Sequence, residues 1–163
     1  MRSYKMVTLS TIFLAFWVGA VWASPYDDAL FAKNRGDYVK ARGLLHSLAV
    51  QGDANSQFQL SLLLRNGQGG SVDAKEAIRW LRQAAKQNNA SAQSNLGSAY
   101  SRGWGVPQDP VRAVVWFTIA AASGSTEAQT NRTVALRRMT QQDINRADDM
   151  TKACLQSNLS GCD

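Results

Sequence analysis

The sequence predicts an all-α fold, an α/α solenoid of about eight helices paired as four hairpins. Three observations carry this: self-similarity at 36 residues, apolar stripes at helical spacing within each unit, and glycine pairs where a first helix should end. Shifted by 36, residues 54–89 fall on 90–125 without a gap. Ala54, Gln57, Leu60, Gly67, Gly69, Asp73, Ala77, Trp80, Ala84 and Ala85 all meet their own kind. Gln129 continues the series forward, and Asp37 and Ala41 continue it backward. A fixed period of this length marks an architecture of stacked repeats, in which each unit buries its apolar face only against a neighbour.

The first element is a targeting segment. Residues 1–23 read as a secretory signal: Arg2 and Lys5 form a positive start, Val7 to Val21 an apolar run, and Val21-Trp22-Ala23 a small-residue cleavage site before Ser24. The run falls short of the roughly 20 residues that span a bilayer. No cysteine lies near the junction for lipid attachment. The expectation is an exported protein, periplasmic or secreted, with no membrane span once the signal is removed. Losing Arg2 and Lys5, and no acid, lowers the formal charge from +6 to +4. The remaining basic residues are scattered among acids, which suits solvated helix faces, so nucleic acid is not an expected partner.

Residues 24–163 form one domain. Residues 24–53 are a degenerate first hairpin turning at Gly36-Asp37-Tyr38. In 54–89 the first helix covers about Ala54 to Arg65 and stops at Gly67. The second helix carries Ala77, Trp80, Leu81, Ala84 and Ala85 at i, i+3, i+4, i+7 and i+8. Asp73 with Glu76 is close to a capping box. In 90–125 the first helix, about Ala90 to Arg102, stops at Gly103; the second begins at Asp109-Pro110 and repeats the stripe as Ala113, Trp116, Phe117, Ala120 and Ala121. Gly69 and Gly105 let the chain turn back between the two helices. Residues 126–163 begin as a further unit at Glu127-Ala128-Gln129 but lose the glycine turn after Met139. There Thr140 to Asp143 can cap a last helix bearing Ile144, Ala147, Met150 and Cys154, making a C-terminal capping hairpin.

Reactive chemistry is sparse. One histidine, His46, and two cysteines exclude multi-histidine zinc sites, Cys-x-x-Cys motifs and iron–sulfur clusters. His46 lies off the stripe of its helix with no nucleophile motif beside it. Asp148 and Asp149 diverge by about 100° on a helix and cannot act as a glycosidase pair with each other. Gly67-x-Gly69-Gly70 follows no strand, so it is a hairpin turn and not a phosphate loop. Trp104, between two glycines, is expected to pack against Val106 and the next hairpin. Neither Ser-x-x-Lys nor Gly-x-Ser-x-Gly occurs. No cofactor, metal or catalytic residue is expected. In an oxidising compartment the only two cysteines, Cys154 and Cys162, are expected to form a disulfide.

The pattern Ala92, Leu96-Gly97, Tyr100, Gly103-x-Gly105-Val106, Asp109, Ala113, Trp116-Phe117, Ala120-Ala121 and Gly124 resembles the Sel-one-like repeat, a variant of the tetratricopeptide repeat. Residues 54–89 follow it with Ser61, Leu64 and Asn88 in place of glycine, tyrosine and glycine; the resemblance covers roughly residues 36–139. It implies a tetratricopeptide-like solenoid whose role is protein–protein interaction, as a periplasmic adaptor or regulator and not an enzyme. A module binding peptidoglycan or another envelope glycan is the alternative. A β-lactam-interacting hydrolase is a weaker one, since the cysteine-rich relatives linked to that chemistry carry a disulfide in each unit and these repeats contain no cysteine. The resemblance also implies that first helices line a concave side. Their residues off the core stripe, Phe58, Gln59, Leu62, Asn95, Ser98, Arg102, Thr130, Asn131, Val134 and Arg138, are then the candidate contacts with another, envelope-associated protein. Phe58 and Leu62 are set either to face the groove or to pack near Leu30 and Phe31 of the first hairpin.

Overall fold

The computed structural model describes residues 24–162. The expected signal segment lies outside the described residues. Within them the chain forms eight α-helices and no strand: α1 (Pro25–Asn34), α2 (Tyr38–Val50), α3 (Ala54–Asn66), α4 (Ala74–Lys86), α5 (Ala90–Arg102), α6 (Pro110–Ala122), α7 (Thr126–Leu136) and α8 (Gln141–Gln156). None is long and apolar enough to cross a membrane.

Every one of these helices starts on a side-chain cap. Ser24, Asp37, Asp53, Asp73, Asn89, Asp109, Ser125 and Thr140 each accept a hydrogen bond from the backbone N–H three residues on. Each such cap contributes about 1 kcal/mol. The expected capping box at α4 forms only half-way. The Asp73 N–H is taken by the Leu64 carbonyl at 3.1 Å, so the Glu76 carboxylate turns outward and accepts from Trp80 Nε1 at 3.2 Å.

The glycine turns do two different jobs. Gly67 and Gly103 end α3 and α5 in left-handed conformations, φ 66° and 70°. Gly69 and Gly105 bring the turn onto the start of the preceding second helix. A Cβ at Gly105 would sit 2.7 Å from the Ala74 carbonyl oxygen, and one at Gly69 would collide with the carbonyl oxygen of Tyr38. Tyr38 and Ala74 are themselves 36 residues apart, so the second glycine is a spacer between hairpins as well as a turn residue.

The repeated glutamine is likewise a tie between hairpins. Buried Gln57 donates from Nε2 to the Ala49 carbonyl at 3.0 Å, and buried Gln93 to the Ala85 carbonyl at 3.1 Å. Each satisfies a carbonyl near the end of the helix before it.

The core has two clusters that meet on α4. Ala77 and Trp80 pack with Ala41, Leu45, Leu60 and Leu63 of the first three helices, whereas Ile78, Leu81, Ala84 and Ala85 pack with α5, α6 and the C-terminal elements. The last two helices depart from the hairpin expected for them. α8 packs on α6 and hardly touches α7. Of α7's side chains only Ala128 is buried, which leaves no apolar stripe for α8 to cover. Cys154 on α8 is bonded to Cys162, with Cα atoms 4.7 Å apart and both residues buried.

Candidate functional site

The first helices α3, α5 and α7 border two clefts. One, of about 370 Å³, lies between α3 and α5, with Leu81 of α4 in its lining. The other, of about 310 Å³, lies between α5 and α7, with Phe117 of α6 in its lining. They are the same place in successive units. Leu81, Asn95, Ser98, Ala99 and Arg102 of the first become Phe117, Asn131, Val134, Ala135 and Arg138 of the second, each 36 residues on. Ser98 and Arg102 line both, so the clefts share a wall.

The apolar linings follow from the second-helix stripe, and the polar walls follow from what that stripe leaves uncovered on the first helices. The walls differ in how far their groups are used. Arg65 donates to Asn95 Oδ1 at 2.9 Å, and Asn95 Nδ2 donates to the Ser91 carbonyl at 2.9 Å. In the second cleft Ser101 stands where Arg65 stands in the first. Among the described residues the side chains of Asn131, Arg102 and Arg138 have no hydrogen-bonding or ionic partner. Neither cleft is lined by an aspartate or glutamate.

The structure thus brings together Asn95, Ser98, Arg102, Asn131, Val134 and Arg138 of the ten expected contacts. Thr130 is exposed and lines, with Val134 and Arg137, a shallow depression on the outer side of α7. Phe58, Gln59 and Leu62 lie outside both clefts. Phe58 is half-buried against the C-terminal core cluster; it neither stands free nor covers Phe31, which stays exposed. Gln59 accepts a hydrogen bond from Lys33 Nζ at 2.6 Å, tying α3 to α1. Tyr26 beside it has its phenol pKa raised, by burial first and then by the charges of Asp53 and Asp27, against the lowering effect of its hydrogen bond with Gln59. Leu62 is half-buried. Arg65, Met139 and Trp104 are lining residues that the stripe argument did not single out; Trp104 sits half-buried against both core clusters.

Elsewhere the chemistry stays thin. His46 is exposed and sets its ring edge-on to Trp80, centroids 6.0 Å apart. Asp148 and Asp149 are exposed, and Asp149 accepts from Lys152 at 3.3 Å. No group of three metal-ligating side chains occurs among the described residues. Arg82 donates to the Tyr100 hydroxyl at 2.9 Å, and Arg112 pairs with Asp109 at 2.6 Å, beside Gln108.

Comparison with known proteins agrees with this geometry. The Sel1 repeat family matches residues 54–89 and 90–125, the two units bounded by the 36-residue period. No curated protein sequence matches the chain. Among solved structures, c5321, a protective antigen present in uropathogenic Escherichia coli strains and displaying an SLR fold, superposes with a TM-score of 0.78. It is 25% identical over 85% of this chain and 30% of its own. A Sel1 repeat protein from Oxalobacter formigenes gives 0.61 at 28% identity, covering 68% of this chain and 49% of its own. Helicobacter pylori cysteine rich protein B gives 0.54 at 20% identity, over 64% and 95%, a likeness of fold alone. The chain therefore spans under a third of the first of these proteins and about half of the second. Sel1 repeats are generally protein–protein interaction scaffolds without catalytic chemistry. The chain thus carries two Sel1 repeats at its centre, with the same kind of helical stack around them.

Proposed function

We propose that the protein is an exported, non-enzymatic adaptor that holds another protein on the concave side formed by its first helices. The observation that carries this reading is the pair of adjacent clefts, sharing Ser98 and Arg102 and repeated at 36 residues, apolar in part of the lining and polar at the walls. Repetition of one recess along a stack suits a ligand that is itself a chain, since each unit then meets a successive stretch of it. Export is supported by the signal pattern of residues 1–23 and by the Cys154–Cys162 bridge, of a kind that persists in oxidising compartments.

The test is photo-crosslinking in intact cells, with the crosslinking group at position 98, shared by both clefts, and a control at exposed position 79. A protein captured from 98 and not from 79, in the envelope or secreted fraction, is the expected result. Recovery with the cell wall in place of a protein would favour the glycan-binding alternative, and turnover of a β-lactam by the purified chain would favour the hydrolase.

A further inference from the structure

We infer that the α5–α7 cleft is an anchor pocket for an extended, acidic protein segment, which seats one apolar side chain between α5 and α7 and sets flanking carboxylates against Arg102 and Arg138. The inference rests on the interaction reading above and adds the chemistry of the partner.

Four observations converge on it. Phe117, Ala113, Ala135 and Met139 give part of the cleft an apolar lining, and its volume of about 310 Å³ has room for a large side chain. Arg102 and Arg138 both line it, with no ionic partner among the described residues. A guanidinium is always charged and offers a planar fork of donors that matches a carboxylate. No acid lines either cleft, so nothing in the recess competes for those arginines. Asn131, also without a partner, offers both a donor and an acceptor to a peptide unit of a chain lying across the cleft. The α3–α5 cleft repeats the design with its asparagine already held by Arg65, so the α5–α7 cleft is the one whose asparagine is left to meet a ligand. A basic segment would meet uncompensated like charge here, and a wholly apolar one would desolvate two arginines without pairing them.

Phage-displayed random 12-residue peptides selected on the purified protein test the inference. Expected are sequences in which a leucine, methionine or aromatic residue is flanked by Asp or Glu. Their affinity, read by fluorescence anisotropy, should fall at least tenfold in the Arg102→Glu/Arg138→Glu double variant and weaken with added salt, while Arg79→Glu leaves it unchanged. Should the double charge reversal disturb the melt, Arg102→Gln/Arg138→Gln is used and the same loss is expected. Peptides without acid enrichment, equal binding by the double variant, or no peptide retained would each overturn the inference. A cellular protein crosslinked from position 98 that binds the double variant normally would overturn the acidic partner and leave the interaction reading standing.

Discussion

Trp80 and Trp116 fill one repeat position in two surroundings. Trp116 is 0% exposed and Trp80 6%; Trp80 carries the Arg79 guanidinium 4.7 Å from the ring centroid and His46 at its edge. Glu76 accepts the Trp80 N–H, but the residue 36 further on is Arg112, and the buried Trp116 N–H has no acceptor among the described residues. Truncation of either to alanine is expected to cost about 3–5 kcal/mol in a thermal melt. Trp116→Phe should cost clearly less, because it removes a donor that makes no bond. A second pair explains a departure between the units. Gly97 faces Phe117, and a Cβ there would lie 2.7 Å from Phe117 Cδ1; one unit earlier the same two places hold Ser61 and Leu81. The phenyl ring takes the room that the serine side chain needs. Gly97→Ser should therefore destabilise by about 1–3 kcal/mol, and Phe117→Leu in the same chain should recover most of it. A four-member cycle of denaturant melts checks the coupling, and simple additivity would contradict it.

At the scale of elements, helix ends were legible because their causes are local. A capping acid, a following proline or a left-handed glycine acts within one turn of the chain, and Asp73, Asp109, Gly67 and Gly103 all stand where their spacing put them. Faces were less legible. A stripe in one unit reports the partner within the hairpin, whereas α3 also buries Ser56, Gln57 and Leu63. Phe58 looked like a groove residue for that reason: its contacts lie in the C-terminal cluster, which the periodicity of a single helix does not display. The docking of α8 on α6 was hidden similarly, since it depends on the polarity of α7 and on chain geometry after Met139. The Cys154–Cys162 bridge closes a short loop in which Asn158 and Leu159 both have positive φ, with Leu159 buried in the core. Replacing both cysteines by serine should cost about 2–3 kcal/mol on a loop-closure account. Faster hydrogen exchange at the end of α8, with α3 to α6 protected as before, is the expected signature. Thiol labelling of the denatured, unreduced protein should find no free thiol.

At the scale of the molecule, the described residues form two core clusters that meet chiefly on α4, with Trp104 and Phe58 also bridging them. Because Ala77 and Trp80 serve one cluster and Ile78 and Leu81 the other, α4 couples the halves, and the turn at Gly105 presses on its first residue. Gly105→Ala must either strain a backbone at φ 69° or push the turn away from Ala74. The expected outcome is a lower and broader calorimetric transition, with α1 to α3 separating from α5 to α8, while Gly124→Ala, where a Cβ meets nothing, shows only the strain of its own φ. The candidate site was legible in part. Arg102 and Arg138 were visible because they recur at the period, and Arg65 was not, because Ser101 replaces it in the next unit. The two clefts follow one another by a single repeat, bordered in turn by α3, α5 and α7. Neighbouring helices in contact stand about 10 Å apart, which an extended strand covers in about three residues. Two bays spaced in this way act as a ruler: an extended chain lying across both would leave a footprint of six or seven residues, about two strides of three.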